Sequence, residues 1–380
     1  MRTIFHLDLD AFFISVERIL DPTLEGKAVI VGGHPHGRGV VAACSYEARR
    51  YGLHSAMPIR DAYRLCPNGI YLHGHHQEYS NYSKAVKRLL ESYAPLIEQA
   101  SIDEFYMDFT GCSKTYGPPL VIAGLLQEKV RSELSLPCSI GIGTNKTIAK
   151  VASDFMKPRG ITFVAPGMEK EFLRRMPVEA LPGVGKVTLR ELNGKGFYKV
   201  GDIAKLSEDY LAAAFGKHGL DLWNKANGKG NDCLTASHER KSISKEHTFS
   251  EDVSDKKKVE KVLFELNGQV CHYLRNNQWQ TSTISIKLRY SDFSTVVRSK
   301  TVTPTDDDQV IFLTALDLFK KAYQRRVAVR LIGIHLSNFS EAASQESLFE
   351  AEASRRKRML SAVDVLRDKY GYEALALGKN

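Results

Sequence analysis

Short runs of apolar residues alternate with longer stretches of helical periodicity along the first half of the chain. The short runs predict buried strands, and apolar residues recurring every three or four positions predict amphipathic helices. Strands are expected at 3–10, 27–32, 40–44 and 138–143. Helices are expected at 11–18, 45–52, 58–65, 78–93, 120–133 and 145–155. The mixture predicts an α+β fold.

A β-hairpin is predicted at 95–109, with an apolar first arm and an aromatic-rich second arm. Asp103 and Glu104 lie at its tip, and Asp8 lies near the end of the first predicted strand. Magnesium prefers oxygen ligands, and two ions about 3.5–4 Å apart can stabilise both oxygens of an in-line phosphoryl displacement. Acidic pairs at hairpin tips are usually only solvated, but the presence of Asp8 favours a metal site.

The residues after Asp8 each have a candidate role. Leu9 can offer only its backbone carbonyl, and Asp10 shares a face with Asp8 if the strand continues. An Asp in front of a helix more commonly caps it, so the pattern favours a cap for Asp10. Phe12 is expected in the core and Phe13 outside it.

Three side chains are candidates for binding phosphate. Tyr46 and Arg49 are three positions apart, so they share a helix face and could hold phosphate oxygens. A packed tyrosine and a solvated arginine are the alternative. Lys157 follows a predicted helix, where a cation is favourable in any case, or it points to a triphosphate.

Residues 166–230 predict short helices, and residues 181–187 are similar to the turn of a helix-hairpin-helix module. Gly183 and Gly185 would let backbone N–H groups approach a DNA phosphate, with Lys186 at the start of the next helix. A tight turn between packed helices is the alternative.

A polar linker, 231–240, precedes a β-α-β-β-α-β pattern, which predicts a separate two-layer domain. Its strands are expected at 242–249, 281–290, 294–302 and 329–339, and its helices at 256–275 and 307–324. Basic residues on these strands could follow a phosphate backbone, or they could form a solvated face. They are Lys245, Lys287, Arg289, Arg298, Lys300 and Arg330.

The tail, 341–380, contains the peptide Gln345-Glu346-Ser347-Leu348-Phe349. Such a peptide can bury its Leu and Phe side chains in the groove of a partner. A short helix is expected near 363–370.

Composition narrows the function classes. The 380 residues carry a formal net charge of +9, which suits an anionic partner such as nucleic acid. The six cysteines are scattered, which is typical of reduced thiols in a cytoplasmic protein. The sequence has neither an apolar run of about 18 residues nor a signal-peptide pattern, so we expect no membrane partner.

Several motifs in order make the chain resemble the Y-family DNA polymerases of the DinB type over about residues 1–340. The motifs are Asp8-Leu9-Asp10-Ala11-Phe12-Phe13, Tyr46-Glu47-Ala48-Arg49, Ser101-Ile102-Asp103-Glu104, Ala149-Lys150 with Ala152-Ser153-Asp154, Lys157-Pro158 and Pro182-Gly183-Val184-Gly185.

The resemblance implies a right-hand architecture. The palm, ferredoxin-like, would be 1–10 and 76–165, the fingers 11–75, the helical thumb 166–230 and the βαββαβ little finger 241–340. It also implies template-directed addition of dNMP to a primer 3′ end, with low fidelity and tolerance of damaged template bases.

The resemblance further implies the ligands of the active site. Asp8, Asp103, Glu104 and the Leu9 carbonyl would bind two Mg²⁺ ions. The backbone near Phe12 and the side chains of Tyr46, Arg49 and Lys157 would bind the triphosphate of the dNTP. Phe13 would be the steric gate that excludes a ribose 2′-hydroxyl.

The remaining implied contacts are with macromolecules. Primer-template DNA would contact the thumb hairpin and the little finger. Gln345, Leu348 and Phe349 would enter a bacterial sliding clamp. The polymerase itself would be a monomer.

One position departs from the family pattern, since Ala43 stands where many relatives carry a threonine that helps bind the triphosphate. Two other functions remain open from the sequence. A non-catalytic DNA-binding scaffold of the same fold would not need the acidic triad. A palm-fold nucleotidyl cyclase would use the same carboxylates, but it has no use for a helix-hairpin-helix or a clamp peptide.

Overall fold

The computed structural model describes residues 2–236, 239–341, 351–371 and 375. The chain forms two compact units, Met1–His238 and Glu239–Asn380. The strands are β1 (Ile4–Leu9), β2 (Val29–Gly32), β3 (Val41–Cys44), β4 (Ile70–Leu72), β5 (Leu96–Gln99), β6 (Glu104–Asp108), β7 (Cys138–Gly143), β8 (Ile161–Phe163), β9 (Ser242–Val253), β10 (Trp279–Tyr290), β11 (Thr295–Thr305) and β12 (Val329–Glu341).

The helices confirm the mixed α and β content. They are α1 (Phe12–Leu20), α2 (Tyr46–Arg49), α3 (Ile59–Leu65), α4 (His76–Glu91), α5 (Ser113–Tyr116), α6 (Pro119–Leu134), α7 (Lys146–Phe155), α8 (Glu169–Arg174), α9 (Lys186–Gly194), α10 (Val200–Ala204), α11 (Glu208–Ala226), α12 (Lys256–Asn276), α13 (Asp308–Ala322) and α14 (Ala351–Tyr370). Within the described part of the chain, none of these helices combines the length and the apolar character needed to cross a bilayer.

The first unit is built around a five-stranded sheet in the order β5-β6-β1-β7-β8. β1 lies at its centre and pairs antiparallel with both β6 and β7. Side chains alternate along a strand, so Phe5, Leu7 and Leu9 enter the main hydrophobic core. His6 and Asp8 lie on the opposite face.

Helix α7 covers that opposite face because β7 has a glycine where the two elements meet. A Cβ added at Gly141 would lie 2.0 Å from the carbonyl oxygen of Ala149 on α7. This close approach brings the side chains of α7 toward the end of β1.

A second sheet of the first unit, β3-β2-β4, packs around Ile30 with α2 and α3. The strands β4 and β8 were not predicted, and each is only three residues long. Helices α8 to α11 share a separate core around Leu173 and Leu192.

The second unit has the predicted order β-α-β-β-α-β, with an antiparallel sheet β11-β10-β12-β9. Helices α12 and α13 contribute to the core of this unit together with the sheet. The tail helix α14 is longer than predicted, and its Asp364 carboxylate accepts hydrogen bonds from Arg275 and His272 of α12.

Candidate active site

Asp8 and Glu104 lie directly opposite each other on the antiparallel strands β1 and β6. Paired residues on antiparallel strands project from the same face, with Cβ atoms about 4.5–5.5 Å apart. The backbone N–H of Leu9 donates to the carbonyl oxygen of Asp103 at 3.0 Å. The structure therefore brings the hairpin tip to the end of the first strand, as the sequence predicts.

Each of these two carboxylates lies beside a lysine ammonium group. One lysine belongs to α7 and the other to the loop that follows it. Lys157 Nζ lies 2.8 Å from Asp8 Oδ1 and 2.7 Å from Asp154 Oδ1. Lys150 Nζ lies 2.5 Å from Glu104 Oε2. Each acid of the pair therefore lies beside one lysine ammonium.

The two acids differ in their electrostatics. Burial raises the pKa of Asp8 to about 7, although the Lys157 ammonium opposes the shift. The imidazole of His6, beside Glu104, and the Lys150 ammonium lower the pKa of Glu104 to about 2 against the effect of burial. Burial alone would lower the pKa of Lys157, but the Asp8 and Asp154 carboxylates raise it.

The Asp103 carboxylate has a different partner from this pair. Its carboxylate accepts a hydrogen bond from the Ser101 hydroxyl at 2.5 Å. Among the described residues, no three acidic, histidine or cysteine side chains lie close enough together to hold a metal ion. The donor set still fits magnesium, because the Asp8 and Glu104 carboxylates offer oxygen atoms and already hold cations there.

Asp10 does not cap α1, so that prediction is wrong. The N-cap of α1 is Ala11, with φ of 44° and no side-chain cap. The Asp10 carboxylate is buried and accepts hydrogen bonds from the Ser139 hydroxyl at 2.8 Å and the Arg159 N–H at 2.8 Å. It therefore links β1 to the loop that carries Lys157.

The two phenylalanines divide as predicted. Phe12 is buried in the core, whereas Phe13 is half-buried. The Phe13 ring is stacked on Tyr79 of α4. Phe13 thus packs against the edge of the core and keeps part of its surface exposed.

Tyr46 and Arg49 form one cluster on α2, with the Arg49 guanidinium 5.3 Å from the centre of the Tyr46 ring. The Ser45 hydroxyl caps this helix by accepting from Ala48 N–H at 3.2 Å. Burial raises the pKa of Tyr46, and the Asp10 carboxylate adds to the shift.

Lys157 is not a helix-terminal cation of α7. The helix ends at Phe155 with Met156 as its C-cap. The Lys157 ammonium instead lies at Asp8.

The thumb-like hairpin has the backbone that its glycines predict. Gly183 has φ of 100°, which favours glycine, and Gly185 is the N-cap of α9. Lys186, the first residue of α9, is exposed together with both glycines. The Pro182 carbonyl accepts from Lys225 Nζ at 2.9 Å, which fixes the turn to α11.

The predicted basic residues of the second unit do not share one sheet face. Lys287 and Arg289 alternate with the buried Ile286, so they project from the open face of β10. Arg298 is paired with Ile286 and therefore lies on the helix-covered side. Lys245 lies on that side too, because its partner in β12 is the buried Ile334.

Three of these basic groups already have partners, and one of them is Arg289, whose Nε donates to Thr295 Oγ1 at 2.9 Å. Lys287 Nζ lies 2.9 Å from Glu246 Oε1. The Arg330 guanidinium lies 4.6 Å from the centre of the Phe293 ring. The clamp peptide with Gln345, Leu348 and Phe349 lies outside the described residues.

Sequence reasoning gave no role to several residues of the site. Lys150 binds Glu104, His6 packs beside it, and Ser139 and Arg159 hold Asp10. The sequence showed only that Lys150 shares a face of α7 with Lys146, four positions earlier. Lys146 Nζ does contact the neighbouring strand β5, at 2.5 Å from Glu98.

Comparisons with known proteins cover most of the chain. Residues 7–154 match the impB/mucB/samB family, and residues 240–348 match the C-terminal domain of the same family. A DNA polymerase IV of Listeria innocua serovar 6a is 41% identical over 338 residues, covering 89% of this chain and 95% of that protein. A DNA polymerase IV of Lactococcus lactis subsp. cremoris is 40% identical over 343 residues, covering 89% and 94%.

Solved structures of DNA polymerases are also similar to this chain over most of its length. The Y-family DNA polymerase chimera Dbh-Dpo4(243-245)-Dbh superposes with a TM-score of 0.79 and 27% identity, covering 88% of this chain and 98% of that chain. DinB from Sulfolobus solfataricus and the insertion ternary complex of Dbh DNA polymerase cover the same shares, with TM-scores of 0.61 and 0.63 and identities of 26% and 27%.

Proposed function

The chain belongs to the impB/mucB/samB family, and from that membership we propose how its residues carry out template-directed DNA synthesis. It is a DNA-directed DNA polymerase of the Y family, DinB type, and acts in translesion synthesis. The observation that carries the proposed mechanism is the pairing of Asp8 with Glu104, each held by a lysine ammonium.

Asp8, Asp103, Glu104 and the Leu9 carbonyl would hold two Mg²⁺ ions. When bound, the ions would lower the pKa of the primer 3′-hydroxyl and stabilise the leaving pyrophosphate. Asp103 would leave Ser101 and turn toward Asp8 to complete the site. Lys157 and Lys150 would then be released from the carboxylates.

The released Lys157 ammonium would bind oxygens of the triphosphate, since it would sit in a half-buried position beside Tyr46. Tyr46 and Arg49 would add a hydroxyl and a guanidinium fork. The backbone near Phe12 would reach the same phosphates. The Phe13 ring would occupy the space that a ribose 2′-hydroxyl needs.

DNA would be bound mainly through its phosphates. Gly183, Gly185 and Lys186 are exposed at the N-terminus of α9, where the helix dipole and the Lys186 cation favour a phosphate. In the second unit, the proposed contacts are Lys245, Lys287, Arg289, Arg298 and Arg330. We further propose the polymerase domain bounds of palm 1–10 and 76–165, fingers 11–75, thumb 166–230, linker 231–240, little finger 241–340 and tail 341–380.

Other properties stay proposals from the resemblance. They are a monomeric state, a cytoplasmic location and binding of a sliding clamp through Gln345, Leu348 and Phe349.

Primer extension with Mg²⁺ tests the site. We expect Glu104→Ala and Asp103→Ala to lower the rate by about a thousandfold or more, while DNA binding measured by fluorescence anisotropy persists. The exposed Glu91→Ala is the matched control and should extend normally. Full extension by either site variant would remove the proposed metal ligands, and nucleotide turnover without DNA would favour a cyclase instead.

A further inference from the structure

The Phe13 ring lies flat against a second aromatic ring. Its centroid is 4.2 Å from that of Tyr79 on α4, with an interplanar angle of 10°. Tyr79 is fully buried, whereas Phe13 is half-buried. One side of the Phe13 ring is therefore backed by a side chain in the core of the first unit.

Tyr79 is held in place by a buried carboxylate. Its hydroxyl donates to Glu17 of α1, a residue that is 2% exposed. The same carboxylate accepts from the His75 N–H at 3.0 Å, and His75 Nδ1 lies 3.0 Å from its other oxygen. Burying a carboxylate is costly unless donors satisfy it, and these donors come from Tyr79 and the residue before α4.

A glycine also lies next to the Tyr79 hydroxyl. A Cβ added at Gly74 would lie 2.8 Å from the Tyr79 hydroxyl oxygen, and Gly74 has φ of +84°. The glycine thus leaves the space into which the hydroxyl fits. Tyr79 is fixed at both ends, by its ring on Phe13 and by its hydroxyl on Glu17.

We infer that Glu17 and Tyr79 are positioning residues that set the discrimination between deoxyribose and ribose, by preventing Phe13 from retreating. The inference rests on the proposed role of Phe13 as the steric gate. A steric gate rejects a 2′-hydroxyl only as strongly as its ring resists displacement. In this chain, displacement of Phe13 away from the sugar requires Tyr79 to move, and Tyr79 cannot move without breaking its hydrogen bond to the buried Glu17 side chain.

Single-nucleotide insertion kinetics test this positioning role of Glu17 and Tyr79. The measured quantity is the ratio of kcat/KM for a matched dNTP to kcat/KM for the matching rNTP. Tyr79→Phe keeps the ring and removes the hydroxyl. We expect the ratio to fall about tenfold, which corresponds to about 1.4 kcal/mol, while kcat/KM for the dNTP stays within about twofold of the parent.

Two further variants show whether the two residues act through one bond. Glu17→Gln should lower the ratio in the same direction but by less, because the amide can still accept from Tyr79. The double variant should lose no more selectivity than Tyr79→Phe alone, since Tyr79→Phe already removes the bond on which Glu17 acts. Tyr82→Phe is the matched control, because Tyr82 is a half-buried tyrosine of the same helix.

The results with Phe13→Ala and Tyr79→Phe distinguish the positioning role of Tyr79 from the role of Phe13 as the steric gate. Phe13→Ala should admit ribonucleotides most readily. An unchanged ratio in Tyr79→Phe, with ribonucleotides still admitted by Phe13→Ala, would overturn the positioning role and leave the gate in place. An unchanged ratio in Phe13→Ala would remove the gate and this inference together. A melting temperature for each variant shows that a change in the ratio does not come from unfolding.

Discussion

The carboxylate of Asp10 accepts a hydrogen bond from the backbone N–H of Arg159 at 2.8 Å, across 149 residues of sequence. It also accepts from the Ser139 hydroxyl of β7. Asp10 therefore connects the central strand, its neighbour and the loop after α7. Because Lys157 lies in that loop, we expect the position of its ammonium beside Asp8 to depend on Asp10, whose carboxylate is bound to Ser139 and Arg159.

Replacement of Asp10 should accordingly affect stability and nucleotide binding together. We expect Asp10→Ala to lower the free energy of unfolding by about 2 kcal/mol, because it leaves the Ser139 hydroxyl and the Arg159 N–H without their buried acceptor. The KM for dNTP should rise as Lys157 loses its fixed loop. Urea unfolding and insertion kinetics measure the two effects, and the exposed Asp61→Ala is the control. A normal KM in a destabilised Asp10→Ala would show that the loop is held by other contacts.

The raised pKa of Asp8 predicts a pH dependence of the magnesium requirement. Its pKa is about 7 in the folded chain against an ordinary value of 3.8, so between these values the folded protein binds a proton that the unfolded chain does not. The contribution of Asp8 to stability therefore decreases as the pH rises through this range. Magnesium must displace that proton, so the half-saturating Mg²⁺ concentration should rise by up to about tenfold per pH unit below pH 7.

Initial rates of primer extension, with Mg²⁺ titrated at about pH 6, 7 and 8, check this dependence. Glu104 should not contribute to this pH dependence, because its pKa of about 2 keeps it charged at all three pH values. A half-saturating concentration that is the same at all three pH values would contradict a role for Asp8 as a ligand that must lose its proton.

The thumb hairpin and the little finger should differ in how they depend on salt. Lys186 is exposed at the start of α9, whereas Lys287 is paired with Glu246. Lys186→Ala should lower the slope of log Kd against log salt by about 1, and Lys287→Ala should lower it by less, because part of its charge is already neutralised. Anisotropy titrations over a range of salt measure both slopes. Equal slopes in the two variants would mean that Lys287 gives up Glu246 when DNA binds.

The tail peptide should act only through the clamp. We expect Leu348→Ala with Phe349→Ala to weaken clamp binding by about 2 kcal/mol or more, since both side chains would be anchors in an apolar groove. Synthesis without the clamp should remain nearly normal. Met359→Ala, an exposed apolar residue of α14, is the control. Clamp-stimulated synthesis that survives in the double variant would exclude this peptide as the docking segment.

The sequence predicted those parts of the fold that depend on local pattern. The apolar run of β1 and the apolar and aromatic arms of the hairpin predicted the strands that carry Asp8 and Glu104, whereas their place on one face comes from the pairing of β1 with β6. Asp10 was assigned wrongly because its partners, Ser139 and Arg159, lie 129 and 149 residues away. A local rule for helix caps contains no information about such distant donors.

Short elements and side-chain orientation also escaped prediction. β4 and β8 are each three residues long and owe their place to pairing with β2 and β7. Asp103 lies at the predicted backbone position, but its carboxylate is bound to Ser101. The sequence could not show that Lys150 and Lys157 would be held by the acids, because ion pairs between distant segments depend on the final packing.

A buried ion network attaches α14 to α12. Asp364 is 5% exposed, and its carboxylate accepts from Arg275 at 2.5 Å and from His272 at 2.8 Å. Asp364→Ala leaves Arg275 with one fewer buried partner, and breaking such a pair costs about 3–5 kcal/mol. We expect α14 to detach, seen as faster hydrogen exchange of its backbone amides, while α12 stays protected by its apolar face. Asp368→Ala, which removes an exposed partner of the same His272, should cause little change. If α14 keeps its protection in Asp364→Ala, the apolar contacts of Leu360 and Val363 must be sufficient to hold the helix.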